Sequence, residues 1–238
     1  MTTTPFDSWT DKYDRWFTTP TGLLVKKYET ELLLELLSPG SNEKIVDVGC
    51  GTGIFTRDIL ALGAAVIGLD LSWPMLEQAV ILRQTGNFSA ILGDMTRLPF
   101  DDSSFDKAVS MTAIEFTDNA HQAISELSRV TRRGGRIVVT TLNSLSPWAQ
   151  KRRQKAREGH PLFTNIHFRS PGRAAHARPG KRHNQDGRSL SAGRPGCTHS
   201  RNRGKRNEKH PDDRSLFSGP MDQPLTGTTD SHRKTQWI

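Results

Sequence analysis

The sequence predicts an α/β protein built on a doubly wound parallel sheet, with helices on both faces of the sheet. Strand-like apolar segments alternate with helical segments between residues 44 and 141, and strand–helix–strand repeats form parallel sheets with right-handed crossovers. A glycine-rich turn follows the first strand, and the composition changes near residue 171. These observations predict one folded domain, a ligand at the carboxyl ends of its strands, and a tail of a different kind.

The elements are expected in the following order. Residues 6–17 form an aromatic-rich helical segment, and a leucine-rich helix over 30–37 ends at Ser38-Pro39-Gly40. Strands are predicted at 44–48, 65–70, 89–92, 105–111 and 136–141, and helices near 53–62, 73–84 and 118–131. The predicted organisation is a helical N-terminal cap (1–40), a ligand-binding domain (41–145), a connecting region (146–170) and a disordered basic tail (171–238).

The glycine-rich turn is the most informative part of the chain. Residues 45–53 read IVDVGCGTG, a buried strand that breaks into alternating glycines before a helix. Glycines permit positive φ and let backbone N–H groups approach a ligand, and the helix N-terminus favours negative charge. Ile54 stands where a dinucleotide-binding loop has its third glycine. Asp47 would repel a diphosphate and attract a sulfonium or ammonium group.

Residues 47–53 resemble the first motif, acid-x-G-x-G-x-G, of the class I S-adenosylmethionine-dependent methyltransferases. Segments similar to later motifs of these enzymes follow in the same order, at 66–72, 93–95, 105–111 and 133–139. Residues 98–106 resemble the ubiquinone/menaquinone-biosynthesis type, methyltransferase type 11, although Arg133 stands where that family usually has proline. The likeness extends from about residue 6 to residue 170.

This resemblance implies a Rossmann-like class I methyltransferase fold, S-adenosyl-L-methionine as the cofactor, and a set of residues that hold it. Asp70 is expected to accept hydrogen bonds from the ribose hydroxyls, and Asp94 and Met95 are expected to flank the adenine ring. The implied cofactor-binding residues are Asp47, Gly49, Cys50, Gly51, Gly53, Asp70, Leu71, Asp94, Met95 and Ser110.

Each acid also has a structural alternative. Asp70 could cap the helix that starts near residue 73, although Ser72 is the better cap by type and position. Asp94 follows Gly93 and could belong to an ordinary turn. Asp106 is assigned to a surface or turn role.

The implied reaction is in-line methyl transfer to a small-molecule acceptor, which depends mainly on placing the reactants and excluding water. A general base is needed only if the acceptor must lose a proton. No catalytic residue is assigned; Glu115 and Tyr13 are the nearest candidates, and each has an alternative role in packing or in lining the pocket. Two other functions stay open: a noncatalytic cofactor-binding remnant, and a nicotinamide-dependent oxidoreductase, which Ile54 disfavours.

Charge and composition separate the tail from the rest of the chain, whose overall net charge is +8. Residues 1–170 hold nineteen Lys and Arg against nineteen Asp and Glu, whereas residues 171–238 hold fourteen against six. Five tail residues are Leu, Ile, Val or Phe. That is about 7 per cent, and charged segments below roughly 20 per cent are expected to be disordered.

Two hypotheses explain the tail. The abrupt change suggests a frameshift near residue 171, which would remove the last strands of the sheet and leave the fifth strand as an open edge. The alternative is a genuine basic tail that binds RNA, DNA or an anionic surface through phosphate contacts. Few aromatic residues are present for base stacking, so nucleic-acid contact is the less favoured alternative.

The remaining features predict a cytoplasmic protein without a metal. Cys50 and Cys197 are too few for a disulfide framework or a zinc site, and His121 and His160 lack the spacing of metal ligands. The N-terminus lacks the basic start and apolar run of a signal peptide, and no apolar run reaches membrane-spanning length.

Overall fold

The computed structural model describes residues 4–169 and the backbone of two short strands at 227–229 and 234–237. The helices are α1 (Thr10–Phe17), α2 (Pro20–Leu37), α3 (Thr56–Leu60), α4 (Trp73–Ala79), α5 (Ala120–Val130) and α6 (Pro147–Arg157), with 3-10 helices at Val80–Gln84 and Ile114–Phe116. The strands are β1 (Lys44–Val48), β2 (Ala65–Asp70), β3 (Phe88–Leu92), β4 (Phe105–Ser110), β5 (Thr131–Val139), β6 (Gly227–Thr229) and β7 (Lys234–Trp237). Within these described ranges, no helix combines the length and apolarity that crossing a membrane requires.

The strands form one sheet in the order β3-β2-β1-β4-β5-β7-β6. Strands β1 to β5 are parallel. The chain winds outward from β1 through β2 to β3, and then outward on the other side from β4 to β5. The order reverses between β1 and β4, where Asp47 is paired with Val109. Ligands of doubly wound sheets bind outside the carboxyl ends of the strands at such a switch point.

Apolar side chains of the central strands alternate between the two faces of the sheet. Ile45 and Val109 belong to the core that contains residues of α2 and α3. Val46 and Ala108 belong to the core that contains residues of α5. Because successive strand residues point to opposite faces, the adjacent apolar residues Ile45-Val46 of β1 and Ala108-Val109 of β4 contribute to both layers. The predicted doubly wound α/β architecture is thereby confirmed.

All five strands predicted between residues 44 and 141 are present, and β5 shows the largest difference in its bounds. It begins at Thr131 rather than at the predicted residue 136. Thr131 directly follows α5 and is paired with Phe105, and the register of β4 and β5 shifts immediately after this pair. The sequence pattern missed this early start because residues 132–134 are exposed and polar or glycine.

One helix is longer than the sequence pattern predicts, and another lies where no helix is predicted. α2 starts at Pro20 rather than near residue 30, because the Thr19 hydroxyl accepts a hydrogen bond from Gly22 N at 3.1 Å and Pro20 takes the first helical position. α6 lies in the segment predicted as a connecting region. It is capped by Ser146, whose hydroxyl accepts a hydrogen bond from Ala149 N at 3.0 Å.

The sheet does not end at β5, so the expectation of missing last strands and an open edge at β5 is wrong for the described backbone. β7 pairs in parallel with β5, from Arg136 opposite Lys234 to Val139 opposite Trp237, and β6 is antiparallel to β7. The low apolar content of the tail argued against strands, but ladder hydrogen bonds use backbone groups that every non-proline residue carries. The prediction of disorder over 171–238 is wrong for the same reason at 227–229 and 234–237, which are strands. For the other tail residues this prediction, like the frameshift and the nucleic-acid contact, lies outside the described residues.

Candidate functional site

The glycine-rich turn, residues 49–53, leaves β1 at the switch point of the sheet. Gly49, Gly51 and Gly53 all have positive φ angles, 75°, 55° and 77°. A Cβ on Gly49 would lie 2.3 Å from Ala113 Cβ, and one on Gly53 would lie 2.4 Å from Leu82 Cδ1. No described atom lies within 4 Å of a Cβ placed on Gly51. Two glycines therefore let the turn pack closely, whereas Gly51 faces open space that a ligand can fill.

Asp47 is buried in β1 immediately before this turn, with an exposed fraction of 2%. Its Oδ2 accepts a hydrogen bond from the Thr56 hydroxyl at 2.5 Å, and its Oδ1 has no hydrogen-bond partner among the described residues. Burial raises the pKa of Asp47 to about 7, and the negative charge of Asp70 adds to this effect. The side chain thus ties β1 to the start of α3 and keeps one oxygen available.

Asp70 ends β2 and joins it to the turn. Its Oδ2 accepts a hydrogen bond from Gly51 N at 2.8 Å, and its Oδ1 accepts one from Ser72 N at 2.9 Å. Burial raises its pKa, although these two backbone donors lower it. Ser72 occupies the N-cap position of α4, as expected for the better cap, but its hydroxyl makes no capping bond. Leu71, the residue after Asp70, is half-exposed.

Cys50 serves the packing of the turn. Its backbone N–H donates to the Leu69 carbonyl at 3.1 Å, and its Sγ lies 2.8 Å from the position that a Cβ on Gly68 would occupy. Burial raises the pKa of the thiol well above its usual value. A neutral thiol packed against β2 is a poor nucleophile.

Asp94 and Met95 follow β3 and differ in their surroundings. The Asp94 side chain is exposed, and its Oδ1 accepts hydrogen bonds from the backbone N–H and the hydroxyl of Thr96, both at 2.8 Å. This is the turn that formed the structural alternative for Asp94. Met95 reaches the glycine-rich turn, because its Cε lies 3.5 Å from the position of a Cβ on Gly49. The structure therefore brings Met95 against the glycine-rich turn, whereas the Asp94 carboxyl is bonded within its own turn.

Buried polar atoms without partners accumulate beyond the carboxyl ends of the central strands. Among the described residues, Ser110 Oγ at the end of β4, Thr141 Oγ1 after β5 and Glu115 Oε2 have no hydrogen-bond partner, like Asp47 Oδ1. Ser110 and Glu115 are 1% and 0% exposed. Buried polar atoms nearly always have a partner in folded proteins. This edge of the sheet is therefore suited to a polar ligand.

The N-terminal segment covers the turn through hydrogen bonds that no local sequence pattern indicates. Asp14 of α1 accepts a hydrogen bond from the Thr52 hydroxyl at 2.6 Å. Asp7 accepts one from the Ser72 hydroxyl at 2.7 Å. These pairs are separated by 38 and 65 positions in sequence, so periodicity could not reveal them.

A second group of titratable side chains lies beside this cover. The partly buried Tyr13 of α1 has its pKa raised by burial and by the charges of Glu29 and Asp14. Burial also raises the pKa of Glu29 in α2 and of Glu115 to about 7 each. The sequence does not single out Glu29, because it lies just before the predicted leucine-rich helix over 30–37 and belongs to no motif.

Asp106 has the structural role that was assigned to it, because its carboxylate accepts hydrogen bonds from Lys44 N at 2.8 Å and Arg132 Nε at 2.7 Å. Among residues 4–169, no group of three or more His, Cys, Asp or Glu side chains could hold a metal ion.

Comparison with known families identifies the segment that carries this site. Residues 46–139 match a family model described as "Methyltransferase domain". This part of the chain is a methyltransferase domain. The match begins in β1 and ends in β5, so it includes the glycine-rich turn, Asp70 and Met95.

Curated proteins that match this part of the chain are also named as methyltransferases. The chain is 41% identical over 113 residues to a malonyl-[acyl-carrier protein] O-methyltransferase from Erwinia pyrifoliae, a match that covers 47% of this chain and 42% of that protein. It is 35% identical over 116 residues to a demethylmenaquinone methyltransferase from Beutenbergia cavernae, covering 49% and 47% respectively. The chain thus spans less than half the length of these two relatives.

Solved structures agree with the observed fold. A SAM-dependent methyltransferase from Thermotoga maritima, titled a possible histamine N-methyltransferase, is 26% identical with a TM-score of 0.57 and covers 73% of this chain and 77% of its own. The YcgJ protein of Bacillus subtilis, 19% identical with a TM-score of 0.56 over 63% of this chain and 66% of its own, shares the fold. The predicted Rossmann-like fold is confirmed, and the predicted methyltransferase family is confirmed for the segment that matches, residues 46–139.

Proposed function

We propose that this chain binds S-adenosyl-L-methionine and transfers its methyl group to a small-molecule acceptor. The observation that carries the proposal is the open space in front of Gly51, in a turn whose backbone is bonded to Asp70 and which follows the buried Asp47. The methyltransferase-domain match over residues 46–139 supports the same activity.

The residues around Gly51 fit this cofactor in charge and in hydrogen bonding. Each Asp70 oxygen accepts one backbone hydrogen bond, and a carboxylate has about four acceptor sites, which leaves capacity for two ribose hydroxyls. Asp70 places negative charge at the turn, which suits a sulfonium, and a bound cation would favour the charged form of Asp47, whose pKa burial raises to about 7. Leu71 and Met95 offer apolar surface to the adenine ring.

The other predicted cofactor-binding residues have supporting or lesser roles in this proposal. Ser110 Oγ and Asp47 Oδ1 are buried acceptors that a bound ligand could use. Gly49, Gly53 and Cys50 shape the turn by packing. Asp94 stays a prediction, and its turn with Thr96 leaves its second oxygen for a ligand.

The bound cofactor supplies an electrophilic methyl group. The chain contributes placement, because β1, β2 and β4 fix the residues around the cofactor and the N-terminal cover excludes water from it. No covalent intermediate with the protein is required. Tyr13 is assigned a place in the acceptor pocket on the basis of its position beside Asp14 and Glu29.

The acceptor is proposed at the level of a small molecule. The relatives named above act on malonyl-[acyl-carrier protein] and demethylmenaquinone according to their names.

A nicotinamide-dependent oxidoreductase is disfavoured, since the β-branched Ile54 stands where the dinucleotide fingerprint has glycine. The noncatalytic remnant remains the alternative if a frameshift altered the tail, and reading the downstream frames of the gene tests that hypothesis. A cytoplasmic location is retained as a proposal from the cysteine content.

Calorimetric titration of the full chain with S-adenosylhomocysteine and with NAD tests the proposal. We expect binding of the first ligand and none of the second. Asp70→Asn should weaken the affinity for S-adenosylhomocysteine at least about tenfold, roughly 1.4 kcal/mol. The reason is that the amide nitrogen cannot accept a hydrogen bond from a ribose hydroxyl. Asp101→Asn, a change at an exposed acid, is the matched control and should leave the affinity unchanged. Binding of NAD in place of S-adenosylhomocysteine would contradict the proposal, and unchanged affinity of Asp70→Asn would contradict the ribose role.

A further inference from the structure

Glu115 is a fully buried carboxyl that is held firmly and still has a free oxygen. It lies in the short 3-10 helix Ile114–Phe116, just after β4, and its exposed fraction is 0%. Its Oε1 accepts a hydrogen bond from Leu142 N at 2.5 Å, and its backbone carbonyl accepts one from His167 N at 2.8 Å. Among the described residues, Oε2 has no hydrogen-bond partner. A buried carboxyl oxygen in this state needs a donor from a ligand or from solvent.

The position of Glu115 connects the glycine-rich turn with the N-terminal cover. Ala113, two positions earlier, packs against Gly49. The Phe116 ring meets the Phe6 ring edge-to-face at a centroid distance of 4.6 Å. The carboxyl therefore belongs to the short segment that bridges the proposed cofactor site and the segment covering it.

Charged groups from three other parts of the chain face Glu115. They are Glu29 of α2, Arg152 of α6, and Arg169 near the end of the described segment. The Arg152 guanidinium lies over the Trp148 ring at 5.4 Å. Two carboxyls and two guanidinium groups can balance one another, so a neutral ligand adds no unpaired charge to the site.

We propose that Glu115 accepts the proton of the acceptor substrate, and that the acceptor is therefore a neutral compound with a hydroxyl or N–H group at the atom to be methylated. This inference rests on the proposed function. The acceptor hydroxyl donates its proton to Oε2, its oxygen forms the new bond to the methyl carbon, and the carbon–sulfur bond breaks with its electron pair left on sulfur. An acceptor that is already a carboxylate has no proton to give and would meet the Glu115 charge directly.

The electrostatics of the site are suited to this step. Burial raises the pKa of Glu115 to about 7, against the opposing effects of Leu142 N, Arg152 and Arg169. A proton acceptor works best when its pKa lies near the working pH. Burial likewise raises the pKa of Glu29 to about 7, with Arg152 opposing and the charge of Glu115 adding to the rise.

The test uses the full chain, catechol as the neutral probe and malonate as the carboxylate probe, each added in the presence of S-adenosylhomocysteine and followed by ligand-observed NMR. We expect catechol to bind and malonate to bind at least tenfold more weakly. Glu115→Gln keeps an oxygen for Leu142 N but cannot take a proton. With S-adenosyl-L-methionine, it should lower catechol methylation at least about 100-fold and abolish the rise of the rate with pH near 7.

Two further variants make the outcome decisive. Glu29→Gln removes a neighbouring negative charge, so it should move the pH midpoint of the rate to lower pH. Glu31→Gln changes an exposed acid of the same helix and should leave the pH midpoint where it is in the wild type. Tighter binding of malonate than of catechol, or an unchanged rate and pH profile in Glu115→Gln, would overturn the inference while S-adenosylhomocysteine binding leaves the proposed function standing. Failure of wild-type protein to bind S-adenosylhomocysteine would overturn both.

Discussion

Three carboxyl groups with raised pKa values distinguish this molecule at the scale of single residues. Asp47, Glu29 and Glu115 have their pKa values raised to about 7, and burial is the largest cause in each case. A motif of local residues identified Asp47 and Asp70 in the sequence. It could not identify Glu29, because the acid that faces Glu29 is Glu115, which comes from a different part of the chain.

Asp47→Asn should change the pH dependence of stability. A raised carboxyl pKa contributes stability that is fully present below the unfolded value of 3.8 and is lost as the pH rises to about 7. The neutral amide in the variant Asp47→Asn does not ionise, so its contribution to stability does not change over this pH range. The free energy of unfolding of the variant, relative to wild type, should therefore increase by as much as about 3 kcal/mol between pH 5 and pH 8.

Urea unfolding at the two pH values measures this difference, and comparing the two differences removes any pH-independent cost of the amide. Asp101→Asn provides the control, since the Asp101 side chain is exposed. A relative stability of Asp47→Asn that stays constant from pH 5 to pH 8 would show that Asp47 is not buried as a neutral acid.

At the scale of elements, the strands and the turn were predictable because their signals are local. The β-branched run of β1, the alternating glycines after it and the repeated strand–helix pattern all lie within short windows. The start of α2 has a local signal as well, the Thr-Pro pair at its cap. The contacts of α1 were not predictable, since its partners Thr52 and Gln78 lie 38 and 67 positions away from Asp14 and Asp11.

The hydrogen bond between Asp14 and Thr52 should hold α1 over the glycine-rich turn. Asp14→Ala and Thr52→Ala each remove it, and a hydrogen bond to a charged group contributes about 1.5–3 kcal/mol. We expect faster amide hydrogen exchange in Thr10–Phe17 for each single variant. The double variant should exchange no faster than the faster single variant, because the two changes remove the same bond.

Arg15→Ala, a change at an exposed residue of α1, is the control for that experiment and should leave the exchange of the helix unchanged. Fully additive effects of Asp14→Ala and Thr52→Ala would mean that the two side chains act independently, contrary to the observed 2.6 Å contact.

At the scale of the whole molecule, the apolar patterns of the sequence predict the elements of the N-terminal part correctly, but they do not predict the edge of the sheet. The charge-balanced residues 1–170 contain every element predicted from apolar patterns. The sheet nevertheless continues into the basic tail through β7, which pairs with β5 over four residue pairs. Composition measures how much apolar surface a segment can bury, and it carries little information about a short strand whose backbone completes an existing edge.

Deleting residues 227–238 should therefore expose the outer edge of β5. The β5 backbone groups that bond to β7 would lose their partners, so we expect faster amide exchange in residues 136–139, measured by mass spectrometry, and increased aggregation in light scattering. β1 lies at the centre of the sheet between β2 and β4, so Lys44–Val48 serves as the internal control and should exchange as in the full chain. Unchanged exchange in β5 after the deletion would mean that β7 does not protect this edge in solution.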